Sequence, residues 1–131
     1  EQSPGASMSI EEKIQISRIF DEMGIDIIEA GFPIASPGDF EAVTAISKIL
    51  KNSIPCGLAR ATKKDIDACK ESLSHSKNFR IHTFISTSPL HMKHKLLLYH
   101  SLKRALAFKA DLNFDLNSFS SPSNTVIILL A

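Results

Sequence analysis

The fold is decided by the stretch Ile25-Asp26-Ile27-Ile28-Glu29-Ala30-Gly31-Phe32-Pro33. This apolar, β-branched run follows Gly24 and is closed by Gly31 and Pro33, which is the pattern of a buried strand with Glu29 at its carboxyl end. Near-continuous apolar strands are typical of parallel sheets covered by helices. Because ligands of parallel sheets bind at the carboxyl ends of the strands, Glu29 is predicted to be a site residue rather than a surface charge.

The composition is that of an ordinary globular protein. The chain has 131 residues and a formal net charge of +1 at pH 7. Its Lys and Arg residues are scattered, so neither nucleic acid nor an acidic membrane is expected as a partner. Cys56 and Cys69 are too far apart for a Cys-x-x-Cys site and are expected to be reduced, buried thiols of a cytoplasmic protein. The apolar run at 126–131 is far shorter than the roughly 20 residues of a membrane helix, so no membrane span is predicted.

Helix and strand patterns alternate along most of the chain. Ser9 and Glu12 form the Ser-x-x-Glu signature of a helix start, and Gly24 is expected to end that helix. The elements predicted next are a strand at 25–30, a helix from Pro37, a strand at 54–58, a helix capped by Thr62 with Asp65, a strand at 80–87 and a helical stretch from Leu90. The predicted strands recur about every 25 to 30 residues, which is typical of βαβ units in a parallel sheet.

Apolar side chains at helical spacing define the expected buried faces of the first two helices. For the first helix these are Ile10, Ile14, Ile16, Phe20 and Met23, and for the second Phe40, Val43, Ile46, Ile49 and Leu50.

The alternation ends near Leu97. Residues 1–97 are interpreted as one domain with three predicted strands, and residues 98–131 as a tail of the kind that a frame-shifted or truncated reading frame would produce. The tail contains a Ser/Asn/Pro stretch at 118–125. No further βαβ unit is predicted there, and the uncharged apolar run at 126–130 would favour aggregation if it were exposed.

Polar residues at the predicted strand ends are the candidates for chemistry. They are Glu1, Gln2, Glu29, Arg60, His82, Ser86 and Thr87, and Thr83 is a further candidate for the rim of the site, like Glu29 and Arg60. A purely structural role explains the pattern equally well: Glu29 and Arg60 would pair in a salt bridge, and His82 would be a hydrogen-bonded strand histidine.

Other chemistry-bearing residues do not form recognisable sites. His91 and His94 are three positions apart in a predicted helix, but two ligands without a third do not make a metal site. His75 and His100 have no other candidate site residues near them in the sequence. A nucleophilic cysteine needs a neighbouring general base, and the sequence places none beside Cys56, so a structural role is predicted for that cysteine.

Six blocks of sequence follow one another within residues 1–97. They are Glu-Gln-Ser-Pro-Gly-Ala at 1–6, Asp-Ile-Ile-Glu-Ala-Gly-Phe-Pro at 26–33, Ser-Pro-Gly-Asp-Phe-Glu-Ala-Val at 36–43, Cys-Gly-Leu-Ala-Arg-Ala at 56–61, Lys-Asp-Ile-Asp at 64–67 and Arg-Ile-His-Thr-Phe-Ile-Ser-Thr-Ser-Pro at 80–89. In this order they resemble the N-terminal part of bacterial 2-isopropylmalate synthases. Citramalate and homocitrate synthases remain as alternatives, although the blocks at 26–33 and 56–61 favour the isopropylmalate branch.

The resemblance implies a metal-dependent (β/α)₈ barrel that condenses acetyl-CoA with 2-oxoisovalerate in leucine biosynthesis. A divalent cation, Mn²⁺ or Mg²⁺, would polarise the oxo acid while a base forms the acetyl-CoA enolate. The family is homodimeric. This chain would supply roughly the first three to four βα units without the first strand, and Gln2 and His82 would bind substrate.

The resemblance also implies that parts of the catalytic machinery are missing. The family motif Arg-Asp-Gly-Glu-Gln is represented only by Glu1 and Gln2, and its later Ser-x-Glu-Asp and His-x-His motifs do not occur, so metal ligands are expected to be absent from this chain. The chain alone is expected to be inactive and marginally stable or aggregated. An alternative is a non-catalytic α/β module that binds a partner subunit by donating strands.

Overall fold

A computed structural model describes residues 7–85 and 125–130. Its elements in chain order are α1 (Ile10–Glu22), β1 (Ile27–Gly31), α2 (Pro37–Ile49), β2 (Ile54–Arg60), α3 (Lys63–Leu73), β3 (Arg80–Ile85) and β4 (Thr125–Leu130). The predicted alternation of helices and strands is therefore confirmed over the first described range. The helix predicted from Leu90 lies outside the described residues.

The strands form one open parallel sheet in the order β1-β2-β3-β4. Three of them alternate with helices, which confirms the predicted α/β class. The fourth was not predicted: β4 pairs with β3 in parallel, with Ile81 opposite Val126. The three strands predicted within residues 1–97 are confirmed, and β4 is an additional strand formed by the tail. An uncharged aliphatic run has high β-propensity, and the free edge of β3 offers it backbone hydrogen-bonding groups.

Local signals in the sequence set the helix starts. Ser9 and Glu12 form the predicted reciprocal cap, with the backbone N–H of Ser9 donating to Glu12 Oε2 at 2.8 Å. The Ser36 and Thr62 side chains cap α2 and α3 in the same way, each accepting from the backbone N–H three residues on. These caps satisfy N–H groups that a helix cannot satisfy itself. Gly24 follows the end of α1 at a φ of 79°, a conformation that glycine adopts at little cost.

The core lies between the sheet and helices α2 and α3. It consists of Val43, Ala59, Ile66, Cys69, Leu73, Phe79 and Ile81, all of them buried. Because successive side chains of a strand point to opposite faces, the other residues of β2 and β3 face away from this core. The described helices leave that second face uncovered, and we call it the open face.

Helix α1 does not bury the apolar side predicted for it. Phe20 and Met23 are 41% and 69% exposed, and Ile16 is also exposed. The prediction was wrong for these three residues, whereas Ile10 and Ile14 are half-buried. Helix α1 packs against α2 and β1, and no described element covers the side that carries Phe20 and Met23. The side chains of α1 that are buried are Ser17 and Asp21.

Of the helices in the described ranges, none combines the length and the apolar character that crossing a bilayer requires.

Candidate functional site

The strand register places four side chains with polar or titratable groups on the open face. Glu29 of β1 lies opposite Cys56 of β2, which in turn lies opposite Arg80 of β3. His82 lies two residues after Arg80 and therefore shares its face. The face thus presents a carboxylate, a thiol, a guanidinium and an imidazole on three adjacent strands.

Glu29 and His82 contact each other across this face. Glu29 Oε2 lies 2.5 Å from His82 Nδ1, although the residues are 53 positions apart in sequence. Their side chains are 45% and 27% exposed, so both remain accessible to a ligand. Two of the predicted site residues are therefore brought together. The structural alternative also holds in one respect, since His82 is a hydrogen-bonded strand histidine.

Arg60 is held elsewhere, at the start of α3. Its Nε donates to Asp65 Oδ2 at 2.6 Å and its Nη2 to Asp65 Oδ1 at 3.2 Å. The guanidinium also lies over the Phe32 ring, 5.6 Å from the centroid. The predicted Glu29–Arg60 salt bridge is thus wrong, because the carboxylate of Asp65, five residues on, captures the arginine. Through its hydrogen bonds to Asp65, Arg60 links the end of β2 to the first turn of α3.

The Arg60–Asp65 pair changes the acidity of both groups. Hydrogen bonding to Asp65 raises the pKa of Arg60 above its usual value. Burial by itself raises the pKa of Asp65, but the hydrogen bonds from Arg60 and Thr62 outweigh burial and lower it. Both side chains are therefore charged at neutral pH.

The remaining candidates do not join the pair. Thr83 is fully buried and, as the neighbour of His82 in β3, points to the opposite face, where its hydroxyl has no hydrogen-bond partner among the described residues. Gln2, Ser86, Thr87, His91 and His94 lie outside the described residues.

Sequence reasoning missed the membership of Cys56 and Arg80 in this cluster. The signal was present for Arg80, because a residue two positions before a site residue on a strand shares its face. For Cys56 no such signal existed, since only the β1–β2 register places it opposite Glu29.

Both cysteines are free and buried, as predicted. Burial and the nearby Glu29 carboxylate raise the pKa of Cys56 to about 11. Burial, together with Cys56, Glu29 and Asp65, raises the pKa of Cys69 to about 12. The thiolate is the reactive form, so both side chains are inert structural thiols at neutral pH.

We expect the two thiols to resist modification in the folded chain. Ellman's reagent at neutral pH should label them at least about tenfold more slowly than in urea, because both burial and raised pKa values suppress thiolate attack. Equal rates in the folded and denatured chain would contradict the buried placement.

The described residues do not fit a divalent cation. No group of three or more His, Cys, Asp or Glu side chains within residues 7–85 is placed to hold one. On the open face, Glu29 and His82 already bind each other, and Cys56 is protonated at neutral pH. Metal ligands must be deprotonated and free to coordinate, which this set is not.

An apolar cleft of about 770 Å³ runs between α1 and β1. Met8, Ile16 and Phe20 line it on the α1 side, and Glu29 is also a lining residue. Residues 28–31 of β1 line its other side, and β1 is an edge strand of the described sheet.

Comparison with known proteins agrees with the geometry. Residues 1–109 match the family model described as HMGL-like. The chain is 64% identical over 96 residues to a 2-isopropylmalate synthase of Caulobacter vibrioides. It is 62% and 60% identical, over 96 residues, to synthases of the same name from Bradyrhizobium sp. and Rhodopseudomonas palustris. Each match covers 73% of this chain and 18% of the relative, so the chain spans about a fifth of the length of these proteins. The chain belongs to the HMGL-like family, whose members are (β/α)₈ barrels.

Proposed function

We propose that this chain is part of an acyltransferase that condenses acetyl-CoA with 2-oxoisovalerate to give 2-isopropylmalate in leucine biosynthesis. The identity to 2-isopropylmalate synthases over 96 residues supports this assignment. The complete protein would act in the cytoplasm as a homodimer.

The observation that carries the proposal is the Glu29–His82 pair on the open face. In a closed barrel of parallel strands, the side of the sheet away from the helices becomes the interior. The pair would then face the barrel axis from two strands, with His82 contacting the oxo acid. A 27% exposed imidazole whose Nδ1 is hydrogen-bonded to a carboxylate keeps Nε2 free to accept a hydrogen bond from a hydroxyl or water at the oxo-acid site.

The open edges of the sheet agree with a partial barrel. Eight strands close a barrel of this family, and three strands of the described sheet, β1 to β3, lie within the residues that match the family model. The free edge of β1 and its apolar cleft are suited to pairing with a further strand. We propose that further strands complete the barrel in the full protein.

The family's divalent cation would supply polarisation of the oxo-acid carbonyl. Since the described residues do not fit such a cation, its ligands would come from other parts of the protein, and we assign none of the described residues to it. We propose that the chain alone is inactive, because an open sheet exposes the Glu29–His82 pair to bulk water and holds no enclosed substrate site.

A chimera tests the proposal. The matched 96-residue segment of the Caulobacter vibrioides synthase is replaced by the corresponding residues of this chain, and CoA release from acetyl-CoA is followed with 2-oxoisovalerate. We expect an active chimera. Substituting His82→Ala in it should lower kcat/KM by about a hundredfold, the usual scale for losing one catalytic or binding side chain.

The controls separate the alternatives. His75→Ala removes an exposed histidine and should leave the rate unchanged. Pyruvate and 2-oxoglutarate in place of 2-oxoisovalerate test the citramalate and homocitrate alternatives. A folded chimera without activity would refute the proposal, and CoA release by the 131-residue chain alone would refute its inactivity.

A further inference from the structure

We propose that Glu29 is a positioning residue that fixes the tautomer of His82, so that Nδ1 carries the proton and Nε2 faces the ligand as a proton acceptor. The inference rests on the proposed function only for the identity of the ligand. The pairing itself follows from the geometry of the open face.

The first argument is the reach of the two side chains. Glu29 lies on β1 and His82 on β3, with β2 between them. Two interstrand spacings of about 4.8 Å lie between the strands, and His82 is also two residues further along β3 than Arg80, which is in the row of Glu29. Both side chains must therefore lean over β2 to bring Oε2 and Nδ1 to 2.5 Å. The imidazole ring is therefore oriented by a hydrogen bond to a side chain from the far side of β2.

The second argument is the hydrogen-bonding chemistry. An ionised carboxylate only accepts hydrogen bonds, so the proton between Glu29 and His82 must belong to Nδ1. In the neutral ring the other nitrogen, Nε2, then has a free lone pair. A carboxylate bound to one histidine nitrogen sets in this way what the second nitrogen can do, as in catalytic triads.

The third argument is the surroundings of the ring. Cys56, beneath the pair on β2, is protonated at neutral pH, and a backbone hydrogen bond from His82 reaches its thiol. Arg80 shares the face through the same row of the register. No other described carboxylate is bound to His82, so the orienting role falls to Glu29.

The consequence is a defined proton route. A ligand hydroxyl or bound water gives its proton to Nε2, the ring becomes an imidazolium, and Glu29 remains ionised and balances the new charge. The same proton returns from Nε2 to the ligand in the reverse step. No proton moves to Glu29.

Nitrogen NMR of the 131-residue chain tests the tautomer directly. Of the five histidines, the His82 signals are assigned with His82→Gln. At a pH well above the ordinary histidine pKa, the ring should show a protonated Nδ1 and an unprotonated Nε2. In Glu29→Ala we expect this preference to be lost. Glu29→Gln, whose amide oxygen still accepts, should retain part of it, and Glu22→Gln, at the exposed end of α1, should leave it unchanged.

Three results would overturn the inference. They are a wild-type His82 protonated at Nε2, a Glu29→Ala variant with the wild-type pattern, or a wild-type His82 signal equal to that of the urea-denatured chain. The first and third results are measured on the wild-type chain, so the inference can be refuted even if a variant does not fold. An inactive chimera with the expected tautomer would refute the proposed function and leave the positioning role intact.

Discussion

Replacing Gly57 by alanine should destabilise the protein by about 2 to 3 kcal/mol, the scale of inserting an atom into a packed core. A Cβ built on Gly57 would lie 2.5 Å from Cys69 Sγ and 3.4 Å from Leu73 Cδ1. Both partners are fully buried in the layer between β2 and α3. Close-packed interiors leave no space into which the sulfur could turn, so the strand and helix would have to separate.

The measurement is the free energy of unfolding in urea, with the chimera as a stable host. Gly38→Ala is the matched control, because its Cβ would meet only Ser36 Oγ at 3.8 Å, and it should be neutral or slightly stabilising. Cys69→Ala should relieve much of the damage in the double variant with Gly57→Ala, since it removes the clashing sulfur. Equal losses of unfolding free energy in Gly57→Ala and Gly38→Ala would contradict the close approach of Cys69 Sγ to Gly57.

Removing the carboxylate of Asp21 should cost about 3 kcal/mol, the scale of losing a buried, charged hydrogen-bond acceptor. Asp21 lies in the last turn of α1 and is only 7% exposed. Its Oδ1 accepts from the backbone N–H of Ser53 at 2.6 Å and of Asn52 at 2.9 Å, and its Oδ2 accepts from that of Lys51 at 3.1 Å. In Asp21→Ala these N–H groups, next to the start of β2, lose their acceptor.

We call the Asp21 carboxylate, with its bonds to the backbone N–H groups of residues 51–53, the Asp21 anchor. Comparing the urea unfolding free energies of Asp21→Ala and Asp67→Ala distinguishes this anchor from an ordinary surface charge. Asp67 is exposed and pairs with Lys63 one helical turn away, so its removal should cost only a few tenths of a kcal/mol. Asp21→Asn keeps one acceptor oxygen and should fall between the two. A loss for Asp21→Ala no larger than that for Asp67→Ala would show that the anchor contributes nothing.

The same carboxylate predicts an acid dependence of stability. Burial by itself raises the pKa of Asp21, but the hydrogen bonds from Ser53, Lys51 and Asn52 lower it from 3.8 to about 2. A depressed pKa stabilises the fold fully above the unfolded value, and this contribution is lost as the pH falls through 3.8 towards 2. Unfolding free energies of wild type and Asp21→Asn should therefore converge in this range. Asp65, whose pKa is also lowered, leaves both proteins some remaining acid dependence.

Much of the fold follows from local sequence. Ser9 with Glu12, Ser36 with Pro37, and Thr62 with Asp65 determine where the three helices start, because caps depend on residues only three positions apart. The apolar runs between the helices determine the strands for the same reason. The family resemblance depends on short blocks of this kind and was confirmed.

The candidate site could be predicted only in part. Glu29 and His82 were identified as site residues, although both lie within their strands and not at the carboxyl ends. Their contact was not predicted, since it depends on the register of β2 between them. Arg60 was assigned to the wrong partner because Asp65 was interpreted only as part of a helix cap. Thr83 lies on the opposite face from His82, as the alternation along β3 requires.

The sequence by itself determined the order of the elements, the helix caps, the parallel α/β class and the buried state of the two cysteines, because all of these depend on neighbours within a few residues or on local hydrophobicity. The tertiary structure alone decided the Asp21 anchor, the Glu29–His82 contact, the pairing of β4 with β3 and the exposure of α1. These depend on which distant segments lie side by side, and sheet register and layer packing set that over separations of 30 to 53 residues.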